Sequence, residues 1–228
     1  MSASQPPRNL TRRALMQIVV AIAAIGAMLF VPAGTFLYWE AWLYLAIVFI
    51  PMSFVTAYFL RTAPALVERR MRMKEKEAEQ KLIIKLSWVY FLVTFLLPGL
   101  DRRFEWSSVP AAAVIVADII ILVGFGLFYL VAKENQYASR IIEVEQQHEV
   151  VTTGPYTLVR HPMYLAALVV YVFSPLALGS YWAMIPTVLF PAILVARILN
   201  EERVLLRELK GYREYMEKTR YRLIPGLW

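Results

Sequence analysis

Residues 110–132 read PAAAVIVADIIILVGFGLFYLVA, an apolar run with one charge, Asp118, bounded by Trp106 on one side and Lys133 on the other. A helix needs roughly 20 mainly apolar residues to cross the hydrocarbon core of a bilayer. This stretch therefore predicts a transmembrane helix. Residues 14–36, 41–60 and 82–100 meet the same requirement. A fifth apolar region, 163–199, is too long for one span. Ser174-Pro175 and then Leu178-Gly179-Ser180 divide it into a tight helical hairpin. The predicted fold is an all-α integral membrane protein with about six transmembrane helices, five to six depending on how far the short hairpin helices cross. The first apolar stretch is long enough to span and reads as a retained helix, not a removable signal.

Composition agrees. The 228 residues are 59% hydrophobic and 18% charged, whereas a soluble domain is about half apolar and about a quarter charged. The absence of cysteine excludes disulfides, thiolate metal sites and cysteine nucleophiles. His148 and His161 are too few for a histidine-built metal centre, so no metal is expected.

The basic residues set the orientation. With six spans, 22 of the 24 Lys and Arg fall on one side, in the N-terminal tail, in 61–85, in 133–160 and from Arg197 onward. Only Arg102 and Arg103 fall on the other. The positive-inside rule then places both termini in the cytosol, in an inner or plasma membrane. Basic residues beside anionic lipid account for the net charge of +7 without nucleic acid as a partner. Tyr38, Trp39, Trp42, Trp106, Tyr181 and Trp182 mark the outer boundary as interfacial rings. The connector 61–81 mixes Arg69, Arg70, Arg72, Lys74 and Lys76 with Leu66, Val67, Met71 and Met73. It reads equally as an interfacial helix or as a solvated charged link. Asp118, in mid-span, is expected to hydrogen-bond a neighbouring helix.

Polar chemistry is concentrated after residue 132, on both sides of the hairpin. Gly154-Pro155 forms a turn, and Pro162 suits the first turn of the next helix. Arg160 and His161 thus stand at the mouth of that helix. Taken alone, Arg160 reads as a snorkelling anchor and His161 as a cap. Beyond the hairpin, Arg197 and Glu201 are four residues apart and share a helical face. Ile198, Leu205, Leu206 and Leu209 form an apolar stripe that contains Glu202. A buried acid requires a partner, either a ligand or an ion pair with Arg160 or Arg197.

The order Gly154-Pro155-Tyr156, Arg160-His161-Pro162-Met163-Tyr164, apolar hairpin, Arg197, Glu201-Glu202, Tyr212-Arg213-Glu214-Tyr215 and Tyr221-Arg222-Leu223-Ile224-Pro225 resembles the isoprenylcysteine carboxyl methyltransferase family. That family is related to the membrane phospholipid N-methyltransferases. The resemblance covers 133–228 and makes this the methyltransferase region, with 1–132 supplying four spans and the basic connector 61–81. It implies S-adenosyl-L-methionine as cofactor, bound at the cytosolic membrane edge by a helical C-terminal segment. Carried over by motif, Glu143, His148, Glu149, Val150, Val151, Tyr156, His161, Pro162, Met163, Tyr164 and Glu201 would contact the cofactor. Arg197 would meet the acceptor, and Glu202 is kept beside it as a catalytic candidate because its position in the apolar stripe singles it out.

The implied activity is methylation of a lipidic or hydrophobic acceptor drawn from the bilayer, a prenylated small molecule or peptide carboxylate foremost. Arginine supplies a bidentate fork suited to a carboxylate. A phospholipid amine is the alternative acceptor. From other classes, an NADPH-dependent sterol-type reductase and a non-catalytic membrane or transport subunit remain to be separated by ligand binding.

Overall fold

The computed structural model describes residues 8–71, 78–137 and 149–228, and among these every regular element is helical. The long helices are α1 (Arg8–Ala33), α2 (Trp39–Thr62), α4 (Ala78–Phe104), α5 (Ala111–Glu134), α6 (Pro162–Ala177) and α8 (Leu189–Glu208). Short helices α3 (Pro64–Met71), α7 (Met184–Thr187) and α9 (Tyr212–Lys218) connect or close them. Five stretches are long and apolar enough to span: Asn9–Ala33, Trp39–Thr62, Ile83–Phe104, Ala111–Glu134 and Met184–Glu208.

The sixth candidate is shorter. Helix α6 has 16 residues, which at 1.5 Å per residue reach about 24 Å against a core about 30 Å thick. Its start is recessed, since Met163 packs near Leu127 and Val131 while α5 runs on to Glu134. This recess positions the functional site.

The helices cluster by end. Leu10 and Ala14 of α1, Phe59 and Leu60 of α2, Leu66 and Val67 of α3 and Ala132 of α5 form one apolar cluster. Phe30, Tyr38, Tyr44, Phe95, Ile121 and Leu178 belong to another, toward the opposite end. Between them glycine permits close approach. A Cβ on Gly99 would lie 2.4 Å from the Leu29 carbonyl oxygen, so α4 and α1 meet backbone to backbone there. Gly124 lets α5 lie along α6 in the same way, against Val169 and Val170.

Four expectations change in detail. The hairpin breaks at 178–183 and not at Ser174-Pro175, which stays helical. Pro175 stands two residues from the end of α6, where few following bonds can be disturbed, and Gly179 makes the turn at φ 70°. Tyr38 is buried within the protein and donates to the Leu178 carbonyl at 2.6 Å. Trp39, Trp42, Trp106, Tyr181 and Trp182 are exposed as anticipated. Connector residues 64–71 form a docked helix, with Leu66 and Val67 buried and Arg69 donating to the Gln136 carbonyl at 3.0 Å. Residues 72–77 lie outside the described set.

Asp118 is the fourth. It is 3% exposed, and neither carboxylate oxygen has a hydrogen-bond partner among the described residues. The helix–helix bond expected there is not made. A hydroxyl in its electrostatic neighbourhood, that of Tyr44, is already committed to Ser174 at 2.8 Å.

Candidate functional site

The site forms where α6 begins, α8 passes and the chain after α9 folds back. Gly154, at φ 57°, opens a 3-10 turn over Gly154–Thr157 and delivers Tyr156 into the interior. The Tyr156 hydroxyl accepts from Asn135 Nδ2 at 2.8 Å. Its carbonyl accepts from the Tyr215 hydroxyl at 2.8 Å and from Thr219 Oγ1 at 3.3 Å. One residue thus ties the end of α5 to the C-terminal segment. Burial raises the Tyr156 phenol, and Tyr215 is pushed up to about 12, chiefly by burial. Both stay protonated.

Pro162 takes the first position of α6 and His161 its cap. The backbone then runs beside the C-terminal segment, with Arg160 N donating to the Tyr221 carbonyl and His161 N to the Arg222 carbonyl, both at 2.9 Å. This arrangement overturns the snorkelling reading of Arg160, whose side chain turns inward and is 6% exposed. Its Nη1 donates to the carbonyls of Thr219 at 2.8 Å and Arg220 at 2.7 Å. Its Nε donates to Glu202 Oε1 at 2.7 Å.

Glu202 is the hub. At 4% exposure it also receives Arg222 Nε on Oε2 at 2.8 Å and lies 3.3 Å from His161 Nε2. Two arginines and a histidine converge on one carboxylate from two separate stretches of chain. An acid within an apolar stripe signalled that something binds it, and the binding groups belong to the protein itself. Burying such a group is tolerable only because its lone pairs are filled.

One turn of α8 earlier, a second group faces outward from the hub. The Tyr164 hydroxyl donates to Glu201 Oε2 and accepts from Arg197 Nε at 2.8 Å. The Arg197 guanidinium carbon lies 5.7 Å from the Tyr164 ring centre, and His161 stacks on that ring with centroids 5.7 Å apart. Arg197 and Glu201 share a face as their spacing predicted, and Tyr164 of α6 is what they share. Arg197, Glu201 and Tyr164 are half-buried, whereas the Glu202 hub behind them is closed.

Among the remaining sequence-predicted residues, Val150, Val151 and Met163 pack around Tyr156, Leu209, Tyr212 and Tyr215. Pro162 is buried and Glu149 exposed. Glu143 and His148 lie outside the described residues. Sequence reasoning assigned no role to Arg222, Thr219, Asn135, Asn200 or Tyr212. Arg222 and Thr219 act through contacts 20 and 59 residues distant in sequence, which leave no periodic trace. Asn200 Nδ2 and the Tyr212 hydroxyl are buried without a hydrogen-bond partner among the described residues.

Residues 114–207, less than half of the chain, match the model of the Isoprenylcysteine carboxyl methyltransferase (ICMT) family. The match supports a membrane methyltransferase. It ends before α9, so Thr219 and Arg222, which complete the hub, lie beyond it. No curated protein matches the chain.

Proposed function

From the match of residues 114–207 to the isoprenylcysteine carboxyl methyltransferase family, we propose that the chain uses S-adenosyl-L-methionine to methylate the carboxylate of a lipidic acceptor, with 133–228 as the catalytic region. The arrangement of Arg197, Tyr164 and Glu201 supports this reading most directly. It sets a cationic fork and an acid on one face of α8, both oriented by the same phenol.

The residues present fit the cofactor's chemistry. Glu201 is a half-buried acceptor suited to an ammonium or to ribose hydroxyls, and two buried polar atoms nearby, on Asn200 and Tyr212, have no protein partner among the described residues. His161, Tyr164, Tyr156, Pro162, Met163, Val150 and Val151 would form the walls, with Glu149 at the rim and Glu143 and His148 in the preceding segment. The bound cofactor supplies an electrophilic methyl group activated by its sulfonium.

The chain's own residues then align the reactants. A carboxylate acceptor is already ionised and needs no base, so orientation is the main contribution, up to about 7–11 kcal/mol for well-aligned groups. Arg197 holds the acceptor, steadied by Tyr164 through a hydrogen bond and its ring face. Glu202 acts as a positioning residue that fastens the start of α6 and the C-terminal segment to α8, and the catalytic role considered for it passes to Arg197 alone. The recess of α6 offers the inner leaflet an entry at the level of the bilayer, and the 22-to-2 division of basic residues supports cytosolic termini.

Equilibrium binding of radiolabelled S-adenosylmethionine and of NADPH to detergent-purified protein tests the cofactor. Methyl transfer to a prenylcysteine carboxylate and to phosphatidylethanolamine in vesicles tests the acceptor. Binding of NADPH alone, or of neither ligand, would defeat the methyltransferase reading, and transfer to the amine alone would defeat the carboxylate.

A further inference from the structure

Tyr212 opens α9 directly after Gly211, whose left-handed conformation at φ 86° starts the final helix. Its side chain is 4% exposed, and its hydroxyl has no hydrogen-bond partner among the described residues. The neighbouring tyrosines are accounted for. Tyr215 donates to the Tyr156 carbonyl, and the Tyr156 hydroxyl accepts from Asn135. Native proteins pair the large majority of their buried polar atoms, so an orphaned hydroxyl at a site boundary calls for a ligand.

The surroundings narrow the ligand. Tyr212 shares an apolar cluster with Tyr156, and Val150, Val151 and Met163 pack against it. These four are the walls assigned above to the cofactor. Burial, and then the charges of Glu202 and Glu201, raise the Tyr212 phenol, so it remains a neutral donor. Apolar walls with one neutral donor suit a flat, uncharged heterocycle that accepts in its own plane.

We propose that Tyr212 donates a hydrogen bond to a ring nitrogen of the adenine of bound S-adenosylmethionine, with Val150, Val151, Tyr156 and Met163 packing about the base. This assignment rests on the methyltransferase reading above. It adds to the binding residues one that lies after residue 207, beyond the segment matched by the family.

The test uses the full chain in detergent and the variant Tyr212→Phe. S-adenosylhomocysteine, and analogues in which each accepting adenine ring nitrogen in turn is replaced by carbon, are titrated calorimetrically. Thermal unfolding is recorded without ligand. The deleted hydroxyl bonds nothing among the described residues, so the variant's Tm should equal or exceed the parent's. Its affinity for S-adenosylhomocysteine should fall about 3- to 10-fold. For the analogue lacking the accepting nitrogen, parent and variant should bind alike. A Tm lowered by several degrees, an unchanged affinity, or an equal loss with every analogue overturns the proposal. Failure of the parent to bind any of these ligands overturns the S-adenosylmethionine reading itself, and the adenine assignment with it.

Discussion

Arg160 donates its Nε–H to Glu202 over 2.7 Å with both side chains almost wholly buried, and the pair joins the start of α6 to the last turns of α8. Removing one partner from such a pair strands the other charge, at a cost of about 3–5 kcal/mol. Glu202→Gln is expected to lower stability by that order, because Arg160 and Arg222 would both face a neutral amide. Folded Glu202→Gln protein should bind S-adenosylmethionine within a few-fold of the parent. Thermal unfolding and cofactor titration check both halves. A variant as stable as the parent would show that the hub is not structural.

Arg197 and Glu201 are predicted to fail in different ways, although both touch Tyr164. Arg197→Ala should abolish turnover while cofactor affinity changes little, and Arg197→Lys should not restore full activity, since an ammonium lacks the planar fork. Glu201→Ala should weaken cofactor binding by roughly 10- to 150-fold, the loss of about 1.5–3 kcal/mol expected for a hydrogen bond to a charged group. Parallel losses of affinity and stability in the two alanine variants would mean that they form one structural unit with Tyr164 and nothing more.

The orientation is open to direct labelling because the chain contains no cysteine of its own. Cysteines introduced at Ser2 and Ser108 should react with an impermeant maleimide from opposite faces of sealed vesicles. Reaction of both from one face would contradict the six-span arrangement drawn from the 22-to-2 division of basic residues.

Asp118 offers a test on stability alone. Its two oxygens have no hydrogen-bond partner among the described residues, and it sits in the apolar interior of α5. A leucine branches at the same carbon, though it is larger, and removes an unsatisfied polar group, so Asp118→Leu should be neutral or stabilising by about 1–3 kcal/mol. Marked destabilisation, measured by thermal unfolding in detergent, would reveal a partner for the carboxyl group.

What the sequence determined by itself follows from local rules. Length and apolarity fix a spanning helix regardless of its neighbours, because a bilayer leaves backbone groups no other partners; hence residues 110–132 were legible as a span, and α5 occupies them almost residue for residue. Gly154 at the turn, Pro162 at the head of α6 and the shared face of Arg197 and Glu201 are likewise consequences of steric limits and helical period. Even Glu202 announced itself, as an acid in an apolar stripe. Of its partners only Arg160 was foreseen, as an alternative to Arg197; His161 and Arg222 were not. Arg160, His161 and Arg222 stand 42, 41 and 20 residues away in sequence, and no periodicity links positions that meet only when the C-terminal segment folds back against α6. The inward turn of Arg160, the burial of Tyr38 and the missing partner of Asp118 were settled in the same way. Each depends on which hydroxyls, carbonyls and charges arrive from distant helices, and on which of those are already engaged with one another.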